Sequence, residues 1–380
     1  MAISVPHVLG GTYIVETVFS YPGIGTLAYE SARYKDYNLL MLLCLMSGIV
    51  VILCNMAAQI INERIDPRMR EKEAAETSGG NDAVTEKTQL FQFAGERPAE
   101  KTEAEKRKNG IRTGRWQQSF FWVFLVLGCL FCRQIMTKDP SYMDLKNCSV
   151  MPCREFLFGT DTMGRDIFSM IWYGGRISLA IGLLSTLIST VIAVLFGAVS
   201  GCAPAWLDAL LMRLTEIFLS VPNLLLVIFL LAAAGKSNVI TISAVIGMTS
   251  WTSITKVVRT EVRQIRNSEY VIASRCMGGS FFYILWHHLA PNFFSSIMFM
   301  VVMNIRSAIV AESTLSFMGI GLPLEVISWG SMLSLSEKAL MTKAWWIILI
   351  PGVFLIVTLL SFTSIGNYLR KQANRKQRNL

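Results

Sequence analysis

ISLAIGLLSTLISTVIAVLFGAVSG, residues 177–201, runs for 25 positions without a charge. A helix of that length rises about 37 Å at about 1.5 Å per residue, more than the roughly 30 Å of hydrocarbon in a bilayer. Its Gly, Ala, Ser and Thr residues suit close packing against another helix in lipid, where small side chains let backbones approach. Further apolar runs lie on either side of it, at 39–61, 116–132, 219–234, 238–255, 293–318 and 345–365. With hydrophobic residues at 53% and charged residues at only 16%, the 380-residue chain lies outside the balance of soluble domains. The expected fold class is therefore all-α and polytopic: one amino-terminal membrane helix, a linker, then six helices.

The formal charge of +9 is distributed in a way that argues against nucleic acid. Basic residues gather at the ends of apolar runs, in NERIDPRMREK (62–72), RKNGIRTGR (107–115) and RKQANRKQRNL (370–380), and as Lys256, Arg259, Arg263, Arg266 and Arg275. Positive flanks stay in the cytoplasm, so the expected topology puts the linker, the 256–290 segment and the carboxyl terminus on the cytoplasmic side of a bacterial inner membrane. The polar segment 138–165 is then external. Residues 71–113 are rich in Glu, Lys, Gly, Ser and Asn, the composition of a solvated linker. The start, MAISVPHVLGGTY, lacks the basic n-region of a secretory signal, and no cleavage is expected.

Eight cysteines are scattered, and Cys44, Cys54, Cys129, Cys132 and Cys202 lie in or beside apolar runs as small hydrophobes. They show no metal-ligand spacing. Cys148 and Cys153, in the external polar segment, are candidates for a disulfide. With three histidines in the chain, His287 and His288 read as loop residues rather than metal ligands or a proton relay. No Gly-x-x-x-x-Gly-Lys-Ser/Thr phosphate cradle is present, and no cofactor is expected on this chain.

Within 256–291 lies the string NSEYVIASRCMGGSFFYILWHHLAPN, residues 267–292. Tyr270, Ala273, Ser274 and Met277 fall at helical spacing, a surface of small residues that another protein can approach closely. Gly278-Gly279 breaks the helix, 281–289 restarts one, and Pro291 is expected to end the segment. Arg306 and Glu312 lie inside an apolar run, where Arg costs about 2.5 to 3.5 kcal/mol on insertion scales. Two readings stand for them: both face a pathway or subunit interface, or Glu312 sits hydrated near the outer boundary. Gly164, Arg165, Asp166 and Arg176 cluster at the outer mouth of the second membrane region, where they meet a binding protein or substrate, or cap and pair locally.

The chain also repeats itself. VETVFSYPGIG (15–25) matches AESTLSFMGIG (311–321), with Glu16 over Glu312, Ser20 over Ser316 and Gly-Ile-Gly over Gly-Ile-Gly. Each copy is followed by a polar stretch, one apolar helix and a basic end, a pattern of about 55 residues.

These strings resemble one family. The 267–292 string is similar to the EAA loop of bacterial ABC importer permeases, with Gly278, His288 and Pro291 matching and Ile272-Ala273-Ser274 standing where Glu-Ala-Ala is usual. FGTDTMGRDIFSMIWYGGRISLAIG (158–182) resembles the corresponding segment of peptide and nickel permeases. Residues 1–70 resemble the final section of the partner permease of the same transporters. The resemblance therefore implies three parts: a partner-tail fragment (1–70), a charged cytoplasmic linker (71–115) and a type I permease domain (116–380) with its coupling loop at 256–291. It implies that Tyr270, Ala273, Ser274, Met277, Gly278, His288 and Pro291 form the ATPase-coupling loop. The implied partners are a second permease, two ABC ATPases that bind ATP-Mg, and an extracellular or periplasmic solute-binding protein. The implied cargo is a peptide or a related solute such as nickel. A remnant that only assembles with other subunits stays open as an alternative. An intramembrane enzyme would need a catalytic pair at membrane depth, and a channel a repeated selectivity loop; the sequence shows neither.

Overall fold

The computed structural model describes residues 16, 23–34, 36–65, 125–235, 237–323, 325–335, 339 and 344–377. The 71–115 linker and most of the expected 116–132 span lie outside the described residues. Two amino-terminal helices come first, α1 (Ile24–Arg33) and α2 (Tyr37–Ile65). The body follows with α3 (Ile167–Cys202), α4 (Ala205–Ser220), α5 (Asn223–Ala234), α6 (Val239–Thr249) and α7 (Thr252–Ile265). Two short helices, α8 (Glu269–Cys276) and α9 (Phe281–Ile284), lead through a π-turn (Leu285–Leu289) into α10 (Ala290–Phe317), then α11 (Trp329–Ser334) and α12 (Trp346–Gln377). Among the described residues the only β-pairing is an isolated bridge between Thr160 and Asp166.

The central helix is α3, and its small residues explain why. Ser178, Gly182, Ser185, Ser189, Ala193, Gly197 and Gly201 are all buried at spacings of three and four, forming one stripe along the helix. Ile305 and Ile309 of α10 press on Gly182, while Val258 and Val262 of α7 press on Gly197 and Gly201. A Cβ at any of these glycines meets a neighbouring side chain at about 2.7–2.8 Å, closer than real Cβ contacts come. The contacts also fix direction: α10 runs antiparallel to α3, and α6 with α7 runs parallel to it. One end of the bundle thus collects the close of α3, the arginines of α7, the start of α10 and the close of α12. It is called the basic end below.

Among the described residues, four helices are long and apolar enough to span a bilayer, α2, α3, α10 and α12, and the bent pair α4–α5 makes a fifth if it is counted as one broken span. The four agree with the runs 39–61, 177–201, 293–318 and 345–365. The expected span 219–234 is corrected. Pro222 forces Val221 into an extended conformation (φ −90°, ψ 133°), because the proline ring clashes with a helical predecessor. The chain turns 92° there, leaving α4 across the basic end and α5 rising for only about 18 Å.

The run 238–255 is also divided, at Ser250-Trp251. Trp251 is buried there between Phe196 and Phe218, with ring centroids 4.7 and 5.5 Å away. Lys256 to Arg263, expected as a loop, belongs to α7, whose Ile254, Val258 and Val262 are buried against α3. Pro291 does not end the segment either. It stands in the first turn of α10, where a missing N–H costs nothing, and the π-turn runs into that helix without a gap.

Candidate functional site: the hairpin at the basic end

After α8 the chain reverses on Gly278, whose φ of +82° only glycine adopts without strain. The Met277 amide donates to the Ala273 carbonyl and the Gly279 amide to the Ser274 carbonyl, at 3.0 Å each, which closes the helix end. Beneath the hairpin, Val271, Ile284, Leu285 and Leu289 are buried with Phe293, Val258 and Val262. The outward face carries Tyr270, Ile272 and Ala273, together with Met277 at 83% exposure and Trp286 at 65%. That is a strongly apolar tip for a polar segment. Ser274, expected on this face, is 5% exposed and turned under the Gly278-Gly279 step. The side chains of Arg275, His288 and Pro291 lie outside the described residues, and His287 stacks on Tyr283 with ring centroids 4.3 Å apart.

The hairpin's base is clamped by charge. Asp208 of α4, 5% exposed, accepts from Arg259 Nε at 2.5 Å and Nη2 at 2.6 Å, from Arg263 Nη2 at 2.7 Å and from Ser200 Oγ at 2.5 Å. Arg266 Nη1 donates to the Gly201 carbonyl at 2.8 Å. The Arg259 guanidinium, helped by the Ser200 hydroxyl and the charge of Arg263, pulls the Asp208 carboxyl from 3.8 down to about 2 despite burial. One carboxylate therefore ties α3, α4 and α7 at the root of the hairpin. Asp208 was absent from the sequence-derived candidates. Its signal was Arg259, Arg263 and Arg266 on one helical face, a row of cations that requires an anion.

At the opposite end, Glu312 corrects the reading that set it hydrated at the outer boundary. It is fully buried and accepts four hydroxyls: Ser316 at 2.9 Å and Ser328 at 2.7 Å on Oε1, Ser178 at 3.2 Å and Ser313 at 3.4 Å on Oε2. Ser178 Oγ also accepts the Trp329 amide and Ser328 Oγ the Ser331 amide, so the network joins α3 to α10 and to the start of α11. Arg306, six residues earlier, is not brought to Glu312. It is half-buried, with its Nε enclosed and no hydrogen-bond partner among the described residues.

The candidates Gly164, Arg165 and Asp166, at the start of α3, hold their own loop together. Asp161 accepts the amides of Met163 and Arg165 at 2.8 Å and Arg165 Nε at 2.7 Å, all within a buried turn. Gly164 has φ +76°, and a Cβ there would overlap the Asp144 carbonyl oxygen. Asp166 caps α3 through the Ser169 amide and hydroxyl, leaving Arg176 as the exposed member of the group. Trp346 Nε1 donates to the Thr160 carbonyl, tying the loop to α12. The candidate disulfide is not formed in the structure: Cys148 and Cys153 are exposed free thiols, with Cys148 Sγ turned to the carbonyls of Leu145 and Asp144 at 3.4 and 3.9 Å. No metal-holding cluster of His, Cys, Asp or Glu occurs among the described residues.

A gripped, glycine-broken hairpin beneath a small-residue helix bundle finds its match in one family model. Residues 1–71 and 193–376 match the binding-protein-dependent transport system inner membrane component. The chain belongs to this family of ABC importer permeases. Among its relatives, the oligopeptide transport system permease protein OppC of Bacillus subtilis is 34% identical over 256 residues, covering 67% of this chain and 83% of OppC. The dipeptide transport system permease protein DppC of the same organism is 33% identical over 259 residues, covering 68% and 79%. A putative peptide permease of Brucella suis is 33% identical over 232 residues, covering 61% and 76%. The permease is accordingly a multi-pass inner-membrane component and not an enzyme, ATP hydrolysis belonging to partner subunits. That both 1–71 and the body match one family model accords with the internal repeat of 15–25 and 311–321.

Proposed function

We propose that this permease forms half of the pathway of an ATP-driven peptide importer, working with a second permease, two cytoplasmic ATPases that bind ATP-Mg, and a solute-binding protein outside. The peptide class rests on the relatives named for oligopeptide and dipeptide transport, while nothing in the fold favours nickel. The observation that carries the coupling role is the hairpin itself: an apolar tip of Tyr270, Met277 and Trp286 exposed at the basic end, on a root clamped by Asp208. Such a tip fits a groove on a cytosolic motor, and the clamp passes its displacement to α3 and α7. The basic end then faces the cytoplasm, as the arginine distribution requires.

The test is Gly278→Trp in vesicles reconstituted with both ATPases and the second permease. No atom lies within 4 Å of a Cβ at Gly278, so the body tolerates the change, while the αL step costs about 1–2 kcal/mol and the tip is blocked. Labelled-peptide uptake is expected to fall at least ten-fold while the protein inserts and purifies normally. Uptake equal to the parent would refute the docking role of this hairpin.

A further inference from the structure

The amino-terminal segment packs on the body through a defined surface. Ala28 and Ala32 of α1 and Leu40 of α2, none more than 8% exposed, enter an apolar cluster with Ile228 of α5, Ile246 of α6 and Met318 beyond α10. Tyr29 Oη comes within 4.0 Å of where a Cβ would stand on Gly319, in the second copy of the repeat. Along its length α2 runs antiparallel to α5, with Tyr37 Oη donating to the Ala232 carbonyl at 3.3 Å and Cys44 Sγ to the Leu225 carbonyl at 3.9 Å. The first copy's glutamate folds back on its own Gly-Ile-Gly turn, Glu16 Oε2 accepting the Thr26 amide at 2.8 Å; in the second copy Ser316 stands between, its Oγ accepting the corresponding Leu322 amide at 3.3 Å and donating to Glu312 at 2.9 Å. The first copy thus reaches the Gly-Ile-Gly turn of the second through Tyr29, beside α5.

We infer that the face made by α5, α6 and residues 315–322 is the seat for the tail of a second permease, and that Gly23–Ile65 occupies this seat in cis. The inference rests on the proposed pairing of two permeases. The occupant is fixed by what is already seated there: a Glu-led Gly-Ile-Gly turn, a short helix and one apolar helix, the arrangement this chain also carries from 311 onward. A separate permease ending in the same arrangement presents the same surface, so it and the resident copy exclude each other.

The experiment uses the full chain with Leu225→Cys, leaving Cys44 as its neighbour across the α2–α5 contact, and a short thiol cross-linker applied to membranes. The probe is the affinity-tagged companion permease of the Bacillus subtilis oligopeptide system, co-expressed. Chain not bound to the companion is expected to cross-link internally, and chain captured with the companion to do so at least ten-fold less. Equal internal cross-linking in the two fractions would overturn the shared seat while leaving the pairing of permeases intact. Absence of internal cross-linking in the unbound chain would overturn occupancy in cis. Failure of the companion to capture any chain would overturn the pairing and, with it, this inference.

Discussion

Replacing Asp208 by Asn tests whether one carboxylate holds the root of the hairpin. The substitution keeps volume and one acceptor oxygen but leaves Arg259 and Arg263 without an anion in a partly enclosed site. The carboxyl is held at about 2 against an ordinary 3.8, and that gap corresponds to about 2 kcal/mol of folding stability at neutral pH. Arg263 is 42% exposed, so its share is screened and the total stays near that figure rather than at the 3–5 kcal/mol typical of breaking a fully buried pair. In mild detergent, a melting point about 5 °C below the parent is expected near pH 7. The sign with pH follows from the lowered value: the contribution is complete above about pH 4 and disappears as pH falls toward about 2, where Asp208 protonates in both states. The gap between parent and variant should therefore narrow in acid. A variant that melts with the parent at pH 7, or a gap that stays constant down to pH 2.5, would refute the clamp.

Three further outcomes follow from the same structure. Glu312→Ala strands four buried serine hydroxyls, of Ser178, Ser313, Ser316 and Ser328, and is expected to lower detergent stability by about 3 kcal/mol; Glu312→Gln, which keeps an acceptor, should lose less than half of that in the same melt. Gly164→Ala meets both a left-handed backbone and the Asp144 carbonyl, so about 3 kcal/mol or failure to purify as a monodisperse species is expected, whereas Gly235→Ala, left-handed but with open space around it, should cost about 1 kcal/mol. Cys148, Cys153 and Cys276 should react with a maleimide within minutes in the native protein, and Cys129 and Cys132 only after unfolding, as mass spectrometry of timed samples would show.

Long apolar runs were legible in the sequence because length and composition alone set them, and α2, α3, α10 and α12 appear close to where those runs lie. The divided spans were not. Pro222 lies within a hydrophobic stretch, and hydropathy does not register that it turns the chain; the α6–α7 break depends on a tryptophan wedged between two distant phenylalanines, a tertiary effect. The Gly278-Gly279 reversal was readable because glycine chemistry is local. The burial of Ser274 was not, since helical spacing gives a face but not which face the body covers. Glu312 shows the same limit in reverse: its four serines lie up to 134 positions from it, and only folding makes a lone membrane carboxylate a satisfied one.

The uninterrupted passage from α9 through the π-turn into α10 makes the second arm of the hairpin and that helix one stiff lever. From Ala290 to Glu312 it extends about 33 Å, so a tilt of about 5° at the base sweeps the far end sideways by about 3 Å. Movement of that size is comparable to the width of a side chain, and it arrives at the Ser178–Glu312–Ser328 knot, the point where three helices are fastened. A push delivered to that arm therefore reaches polar bonds at the opposite end of the bundle with no break in the helix between.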